Sequence, residues 1–301
     1  MNKSPTSLTE IGEFGLIDRL TKDIKHLHLS TLKGVGDDAA VIDAGEKCIV
    51  ITTDMLTEGV HFDLMYNPLK HLGYKSVIVN LSDLYSMNAI PKQITVSIAI
   101  SSKFSIEAID ELYSGIHLAC EMYEVDLVGG DTVSSLTGLV ISITAIGEAK
   151  KEEITYRGGA SENDLICVSG DLGGAFLGLQ LLEREKDIYN EDPEIQPDLS
   201  GYDYILERQL KPEARKDVVE VLRNEGINIT SMIDISDGLS SELLHLCQNS
   251  GRGCKIYHDK IPIHPSVSAA AKDFNLEPLI CALHWGEDYE LLFTVPLNIV
   301  S

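Results

Sequence analysis

The sequence predicts a mixed α/β fold of the α+β type, and three features of the chain support this. Short runs of β-branched residues alternate along the chain with segments whose apolar residues recur at helical spacing. In the first half, some of these runs are joined by hairpin turns, which favours antiparallel strands there. A charged segment without an apolar face, residues 150–153, separates two halves of ordinary domain size. We therefore expect two domains, 1–150 with a mixed sheet and helices, and 151–301 with an α/β sandwich.

The first half is predicted to alternate between helices and strands. Apolar residues spaced by three and four predict the helices, and Pro68 and Ser105 are suited to begin two of them. These helices cover residues 9–27, 68–87 and 105–124. Runs rich in β-branched residues predict the strands, of which the first two form a hairpin around residues 43–46. These strands cover residues 39–42, 48–51, 94–100, 126–128 and 139–147.

The second half begins with a buried strand and continues with the same mixture. Its predicted strands cover residues 165–168, 230–235 and 289–295. Its predicted helices cover residues 175–185, 212–223, 238–248 and 269–274. The stretch 186–203 contains Pro193, Pro197 and several acids, which predicts a long surface loop or insertion.

The balance of charge argues against nucleic acid as a partner. The 301 residues include 47 Asp and Glu against 24 Lys and Arg, so the formal net charge is −23. Proteins that bind phosphate backbones instead cluster Lys and Arg on one surface. A nucleotide stays compatible with this charge because bound cations reverse the local sign. For most of the acids the simplest interpretation is a solvated surface.

Cysteine usage and hydropathy predict the compartment. The six cysteines form no C-x-x-C pair, and most lie in apolar runs, which is typical of buried free thiols in a reducing environment. The N-terminus lacks a cationic segment followed by an apolar core, and no apolar run approaches the roughly 20 residues of a membrane span. We therefore expect a cytoplasmic protein with no membrane partner.

Acidic residues recur at the ends of strand-like runs and beside glycines. A half-buried carboxylate is costly unless it is paired or binds a metal ion. One such aspartate is more often a turn or N-cap residue, but several in one chain favour a shared function. Hard cations such as Mg²⁺ bind oxygen ligands of this kind and share them with substrate phosphates. The candidate carboxylates are Asp37 and Asp38 after Gly36, Asp54 after Thr52 and Thr53, Asp83, Asp131 after Gly129 and Gly130, Asp234 and Asp237.

Because the chain has neither a Walker motif nor a kinase-type H-R-D loop, a phosphate site must use other residues. Residues 170–174 form either a backbone nest for an anion or a tight strand-to-helix turn. Arg157 either binds a phosphate or is a surface arginine. His61 either contacts a ligand or is a solvated loop residue. Trp285, the only tryptophan, either stacks on a ligand ring or packs in the core.

A series of motifs resembles those of bacterial thiamine-monophosphate kinases, a family in the superfamily of aminoimidazole ribonucleotide synthetase. Each motif is modestly specific, whereas their order and spacing together are highly specific. The resemblance runs from about residue 10 to the C-terminus. The motifs are Gly36-Asp37-Asp38-Ala39-Ala40, Thr52-Thr53-Asp54, Gly59-Val60-His61-Phe62, Gly73-Tyr74-Lys75 with Asn80-Leu81-Ser82-Asp83, Gly129-Gly130-Asp131, Asp234-Ile235-Ser236-Asp237-Gly238-Leu239 and Gly286-Glu287-Asp288-Tyr289-Glu290-Leu291.

The resemblance implies an activity and a fold. The activity is direct, in-line transfer of the γ-phosphoryl group of ATP to thiamine monophosphate, which gives thiamine diphosphate in the last step of its biosynthesis. The fold pairs an α+β N-terminal domain, which dimerises through a shared β-barrel, with a smaller α/β C-terminal domain. The resemblance therefore implies ATP as co-substrate, several Mg²⁺ ions as cofactors and a homodimer.

The resemblance also implies roles for individual residues. Asp54, Asp83 and Asp237 would assist the transfer through Mg²⁺, and His61 and Glu287 match positions that contact the substrate. The positions that match nucleotide contacts are Gly130, Asp131, Arg157 and Ser236. The positions that match Mg²⁺ ligands are Asp37, Thr52, Thr53, Asp54, Asp83, Asp131, Asp234 and Asp237.

Two departures and two alternatives accompany the resemblance. Family members continue for some tens of residues and carry a late aromatic residue that closes on the thiamine end, so we expect a truncated C-terminal domain here. The acidic stretch 186–203 is longer than the family leads us to expect. One alternative is another enzyme of the superfamily, similar to aminoimidazole ribonucleotide synthetase or selenophosphate synthetase. The other is a nucleotide-binding module without catalysis, against which the near-complete set of acids argues.

Overall fold

The computed structural model describes residues 8–297, with side chains described from residue 12 onward. The outer ends of the two predicted domains, residues 1–7 and 298–301, therefore lie outside the described residues. The strands are β1 Thr31–Lys33, β2 Ala40–Asp43, β3 Cys48–Thr57, β4 Ile90–Ile100, β5 Asp126–Ser134, β6 Val140–Ala149, β7 Leu165–Val168, β8 Ser231–Asp234 and β9 Leu291–Val295. The helices are α1 Leu8–Thr21, α2 Leu69–Ser86, α3 Ile106–Tyr123, α4 Gly174–Glu191, α5 Asp203–Leu210, α6 Lys216–Asn224, α7 Leu239–Ser250, α8 Pro265–Asp273 and α9 Pro278–His284.

The first half folds into a six-stranded mixed sheet with the order β1-β2-β3-β6-β4-β5. All neighbours are antiparallel except β4 and β5, which are parallel and joined through α3. Alternate residues of β3, β4 and β6 are buried under α2 and α3 on one face. We call the other face, which carries Thr53, Met55, Ser97, Asp131 and Val133, the open face. The predicted mixed α/β fold with a mixed sheet is thus confirmed.

Helix α2 is buried over nearly its whole length because it packs on the larger sheet, on β8 and, very closely, on α3. A Cβ atom added at Gly73 would lie 2.0 Å from the carbonyl oxygen of Leu112, and one at Gly115 would lie 1.8 Å from that of Lys70. Glycine at both positions therefore lets the two backbones touch. Among residues 8–297, none of the helices combines the length with the apolar character that a transmembrane span requires.

The second half contributes a three-stranded antiparallel sheet with the order β7-β9-β8. Helix α2 contacts β8 as well as the larger sheet. One buried apolar cluster includes Ile143 of β6, Ile78 of α2 and Leu291 of β9. The two sheets lie on either side of residue 150 in sequence but share this core, so the two-domain division stays a prediction.

Several predicted elements have the right type but the wrong bounds. Strand β3 continues past Ile51 to Thr57 because it pairs with β6 along its whole length. Strand β5 likewise continues past Val128 to Ser134 because parallel pairing with β4 satisfies its backbone groups. Residues 52–54 and 129–131 therefore lie within strands, and not after them as predicted.

Other predicted bounds were wrong in the helices. The first helix ends at Thr21 instead of residue 27. The predicted helix 212–223 begins only at Lys216. Part of the predicted loop 186–203 belongs to α4, which continues to Glu191. Strand β1 and helices α5 and α9 were not predicted, since each is short and carries a weak periodic signal.

Candidate active site

Helix α2 presents polar side chains to strand β3 at the centre of the molecule. The hydroxyl of Thr52 donates a hydrogen bond of 2.5 Å to Oδ2 of Asp83. The Asp54 backbone N–H donates to Oδ1 of Asn80 at 3.0 Å. Asn80 and Asp83 lie about one turn apart on the same face of α2, so this face is fixed against β3.

Three carboxylates from three distant parts of the chain meet beside this helix. Asp38 precedes β2, Asp83 lies in α2 and Asp234 ends β8, and one carboxylate oxygen of each lies within 4.8 Å of the others. Two serines of α2 donate hydrogen bonds to two of these carboxylates, those of Asp38 and Asp234. Ser86 donates to Asp38 at 2.6 Å, and Ser82 donates to Asp234 at 2.6 Å. We call Asp38, Asp83 and Asp234 the carboxylate cluster.

Burial and the charges of neighbouring acids raise the pKa values of all three members of the carboxylate cluster. Burial raises the pKa of Asp38 to about 6, against the attraction of Arg157. Burial and the charge of Asp38 raise the pKa of Asp234 to about 7. Burial, followed by repulsion from Asp234 and Asp54, raises the pKa of Asp83 well above its ordinary value.

The carboxylate cluster offers only oxygen atoms as ligands. Among the described residues, only one of its three carboxylates, that of Asp38, is paired with a cationic side chain. Arg157 donates to Oδ1 of Asp38 through Nε at 2.8 Å and through Nη2. Asp54, whose pKa burial also raises, adds a further carboxylate close to Asp83. A set of buried acids of this kind fits Mg²⁺, which takes oxygen ligands and compensates the repulsion between them.

A pocket of about 360 Å³ adjoins the carboxylate cluster. His61 lines it, and the charge of His61 opposes the burial that raises the pKa of Asp54. Burial, followed by the charges of Glu287, Asp54, Asp234 and Asp83, raises the pKa of Tyr289, so this buried ring lies near acids of both the pocket wall and the cluster. The remaining pocket walls include Phe176, Glu183, Lys186, Trp285 and Glu287.

Two aromatic rings and several acids give the pocket its chemistry. Trp285 stacks on Phe176 with ring centroids 4.3 Å apart and planes at 7°, and 49% of Trp285 remains exposed. Lys186 is the one lysine in the described lining and is paired with Asp63 and Glu183. An exposed aromatic plane beside carboxylates suits a flat cationic ring.

Comparison with known proteins identifies the family. The family model described as AIR synthase related protein, N-terminal domain, matches residues 36–149. Thiamine-monophosphate kinase of Aquifex aeolicus (strain VF5) is 35% identical over 289 residues, which cover 96% of this chain and 87% of the relative. That of Bacillus subtilis (strain 168) is 36% identical over 292 residues, which cover 95% and 84%. The chain belongs to the thiamine-monophosphate kinase family.

A solved structure agrees with this assignment. The structure of AaThiL complexed with AMPPCP and TMP is 33% identical to the chain and superposes with a TM-score of 0.86. The match covers 98% of this chain and 89% of that one. The mixed α/β fold is therefore the fold of thiamine-monophosphate kinases.

The structure brings together most of the residues that the resemblance predicts as Mg²⁺ ligands. Thr52, Asp54, Asp83 and Asp234 lie in or beside the carboxylate cluster. Asp37 lies next to it, with Oδ1 accepting the backbone N–H groups of Asp38 and Arg157. The side chain of Asp37 is 1% exposed and its Oδ2 lies 3.2 Å from Lys33.

Two of the predicted ligands lie elsewhere within this chain. Paired residues in adjacent strands point to the same face, and one row of such pairs comprises Asp54, Ile143, Val96 and Gly130. The next row comprises Met55, Ser142, Ser97 and Asp131, which places Asp131 on the open face. Thr53 faces the same way. Asp131 is also three strands from β3, or about 14 Å at ordinary strand spacing.

Gly130 allows a close approach of two strands, since a Cβ atom there would lie 1.8 Å from the carbonyl oxygen of Val96.

Asp237 is exposed just before α7, three residues after Asp234 of the carboxylate cluster. Its backbone N–H donates to Glu242 at 3.0 Å. Ser236 supports the pocket through its carbonyl oxygen, which accepts the N–H of Glu287 at 2.8 Å.

The structure decides two interpretations that the sequence left open. The glycine-rich turn at 170–174 already holds an anion from the same chain, because Asp288 accepts the backbone N–H groups of Gly173 at 2.7 Å and Ala175 at 3.3 Å. The turn is therefore capped internally instead of forming a nest for phosphate. Arg157 is an inward-facing partner of Asp38 and not a surface arginine.

The resemblance assigns no role to two acids that the structure places in the site. Asp38 is one of the candidate carboxylates, but the resemblance implies a ligand role for Asp37 alone, and the side chain of Asp38 is the one that enters the cluster. Glu242 is buried, and burial together with Asp234 raises its pKa to about 8. The signal for Asp38 was the adjacent pair of acids, whereas nothing in the helical pattern of α7 distinguished Glu242.

Proposed function

We propose that this protein transfers the γ-phosphoryl group of ATP directly and in line to the phosphate of thiamine monophosphate, with several Mg²⁺ ions held by buried carboxylates. The reaction is that of its family: an ATP-dependent kinase acts on thiamine monophosphate and forms thiamine diphosphate. The observation that supports this chemistry best is the carboxylate cluster, which adjoins a pocket suited to a cationic ring.

The chain's own residues have distinct roles in this proposal. Asp38, Asp54, Asp83 and Asp234 would hold the ions, with Asp37, Thr52 and Asp237 beside them. Mg²⁺, when bound, neutralises the charge of the two phosphorylated ligands and of the group in transfer. The serines of α2 orient the carboxylates before any ligand arrives, which reduces the reorganisation needed during transfer.

The nucleotide and the thiamine end would be held on different sides of these ions. Gly130, Asp131, Arg157 and Ser236 are the proposed nucleotide contacts, of which Asp131 lies on the open face and not beside the carboxylate cluster of its own chain. His61 and Glu287 line the pocket and are the proposed contacts to thiamine monophosphate. Trp285, exposed on the same wall, offers its ring face to the thiazolium, which carries a positive charge.

We also propose a homodimer that forms through the open face and lies in the cytoplasm. Met55 and Val133 on that face are 58% and 54% exposed, which a second copy would bury. Thr53 and Asp131 share the face, so a dimer places these two proposed ligands at the interface between protomers. The six cysteines are free thiols, which suits a reducing compartment.

The proposed reaction is tested by coupled detection of ADP with ATP, Mg²⁺ and thiamine monophosphate, against a control without thiamine monophosphate. We expect ADP release that depends on both thiamine monophosphate and Mg²⁺, with thiamine diphosphate as product by chromatography. ADP release without formation of thiamine diphosphate would favour another enzyme of the superfamily. Nucleotide binding without turnover would favour a non-catalytic module.

The proposed dimer is tested with Met55→Glu, which places a charge at the centre of the open face. We expect a dimer mass for the unaltered protein and a monomer mass for the variant in sedimentation experiments. A monomeric unaltered protein with full activity would contradict the dimer but not the reaction.

A further inference from the structure

Glu287 is held at the pocket wall by two buried side chains that belong to different helices. Nζ of Lys75, in α2, donates to Oε2 of Glu287 at 3.2 Å and to the carbonyl oxygen of Gln209 at 3.1 Å. Nε2 of Gln209, in α5, donates to the same Oε2 at 3.1 Å. Lys75 and Gln209 are each 3% exposed, whereas the side chain of Glu287 is 30% exposed.

Both hydrogen bonds reach one oxygen of the carboxylate. Among the described residues, no donor is bonded to Oε1 of Glu287, and Glu287 lines the pocket. The two donors therefore fix the orientation of the group and leave its second oxygen for a ligand. A carboxylate held in this way faces a cation without losing side-chain entropy when the ligand binds.

The backbone of Glu287 is fixed as well. Its φ angle is 64°, a conformation that is uncommon for residues other than glycine. The neighbouring residue, Asp288, accepts the first N–H groups of α4, and the N–H of Glu287 itself donates to Ser236. The surrounding contacts thus hold Glu287 in an unfavourable conformation, which is typical of residues that serve a function.

Burial of Lys75 costs free energy, because an ammonium group loses its hydration inside the protein. Packing alone therefore does not explain a lysine at this position. It does not line the pocket and lies about two helical turns before Asp83 on α2. The helix that carries a member of the carboxylate cluster therefore also sets the position of the acid at the thiamine end.

We propose that Lys75 is a positioning residue for the substrate: together with Gln209 it orients the carboxylate of Glu287 toward the cationic thiamine end of thiamine monophosphate. This inference rests on the proposed function, since it assigns the pocket to that substrate. Lys75 acts through Glu287 and does not touch the substrate. Replacement of Lys75 should therefore raise the KM for thiamine monophosphate and leave the KM for ATP nearly unchanged.

The test compares Lys75→Met, Glu287→Gln and the double variant in the ADP-release assay. Loss of a charge-assisted hydrogen bond predicts that Lys75→Met raises the KM for thiamine monophosphate about tenfold. The KM for ATP stays within about twofold because the ATP contacts are unchanged. In the double variant the increase is no larger than in Glu287→Gln alone, since Lys75 then has no carboxylate to orient.

Two further variants control for effects on folding. Lys211→Met removes a lysine that pairs with Glu213 near the end of α5 and does not line the pocket, so we expect an unchanged KM for thiamine monophosphate. Gln209→Leu removes the second donor without leaving a buried charge unpaired, and it raises the same KM even if Lys75→Met does not fold.

The outcomes separate the inference from the proposed function. A tenfold effect of Lys75→Met that persists in the Glu287→Gln background means a structural role and overturns the inference. So does an unchanged KM for thiamine monophosphate in both Lys75→Met and Gln209→Leu. If the unaltered protein itself shows no turnover that depends on thiamine monophosphate, the proposed function fails first.

Discussion

Two groups of buried acids in this molecule have the same residue chemistry but different numbers of cationic partners. In the carboxylate cluster the pKa values of Asp38, Asp83 and Asp234 are raised, and among the described residues only Asp38 pairs with a guanidinium, that of Arg157. We call Asp288 and Glu290, which lie in the Gly286–Leu291 motif, the matched acids. Their partners are two arginines, Arg208 and Arg215, together with backbone and hydroxyl donors.

Burial alone does not distinguish the two groups. Asp234 is 3% exposed and Glu290 is 2% exposed. Burial raises the pKa of Asp288 to about 6, as it does that of Asp38, although Arg208 and the N–H groups of Gly173 and Ala175 oppose it. The difference teaches that acids with fixed cationic partners suit a structural role, whereas buried acids that face one another suit the binding of an external cation.

The largest effect is expected from removing a member of the carboxylate cluster. Asp83→Ala and, separately, Asp54→Ala should each lower kcat at least about a thousandfold, since the proposed ions would lose a ligand. The circular dichroism spectrum should be unchanged. Near-normal kcat at saturating Mg²⁺ in either variant would show that this residue is not a required metal ligand.

The matched acids are expected to respond in the opposite way. Glu290→Gln should lower the free energy of unfolding by about 3 kcal/mol, because Arg208 and Arg215 would lose a buried partner. Its kcat should fall far less than that of Asp83→Ala, since Glu290 does not line the pocket beside the cluster. Denaturation with guanidinium chloride and the kinase assay measure the two quantities. A stable but inactive Glu290→Gln variant would erase the distinction between the two groups.

The dependence of stability on pH sharpens the comparison further. The pKa values of Asp38 and Asp234 rise from 3.8 to about 6 and about 7 on folding, so the folded protein keeps protons that the unfolded chain releases. The metal-free protein should therefore lose stability as pH rises from 4 through 7, with a Tm lower by about 5 °C at pH 8 than at pH 5. Mg²⁺ should restore more of the Tm at pH 8 than at pH 5. Equal restoration at both pH values would contradict binding to these acids.

The smallest effect is expected for an ion pair whose two side chains are exposed to solvent. Lys47 pairs with Glu148 across β3 and β6, with side chains 56% and 32% exposed. Lys47→Ala should change the free energy of unfolding by less than about 0.5 kcal/mol, since solvent screens this pair. A loss as large as that of Glu290→Gln would mean that burial does not govern the strength of these pairs.

Much of the fold was predictable because local patterns reflect it. Helix α2 was predicted from apolar spacing with Asp83 inside it, and the structure confirms both. The ends of β3 and β5 were not predictable, since strand length depends on the partner strand rather than on the run of apolar residues. The family, the kinase activity and its substrates also followed from the motifs.

The sequence by itself determined which residue types are available, their order along the chain and the family to which they belong. Only the tertiary structure decided which acids meet. Asp38 and not Asp37 enters the carboxylate cluster, Asp131 lies on the open face, and Asp288 caps a helix. The physical reason is that a carboxylate's role depends on the charges within a few ångströms of it. Those neighbours come from segments far away in sequence, so their identity follows from packing and strand register.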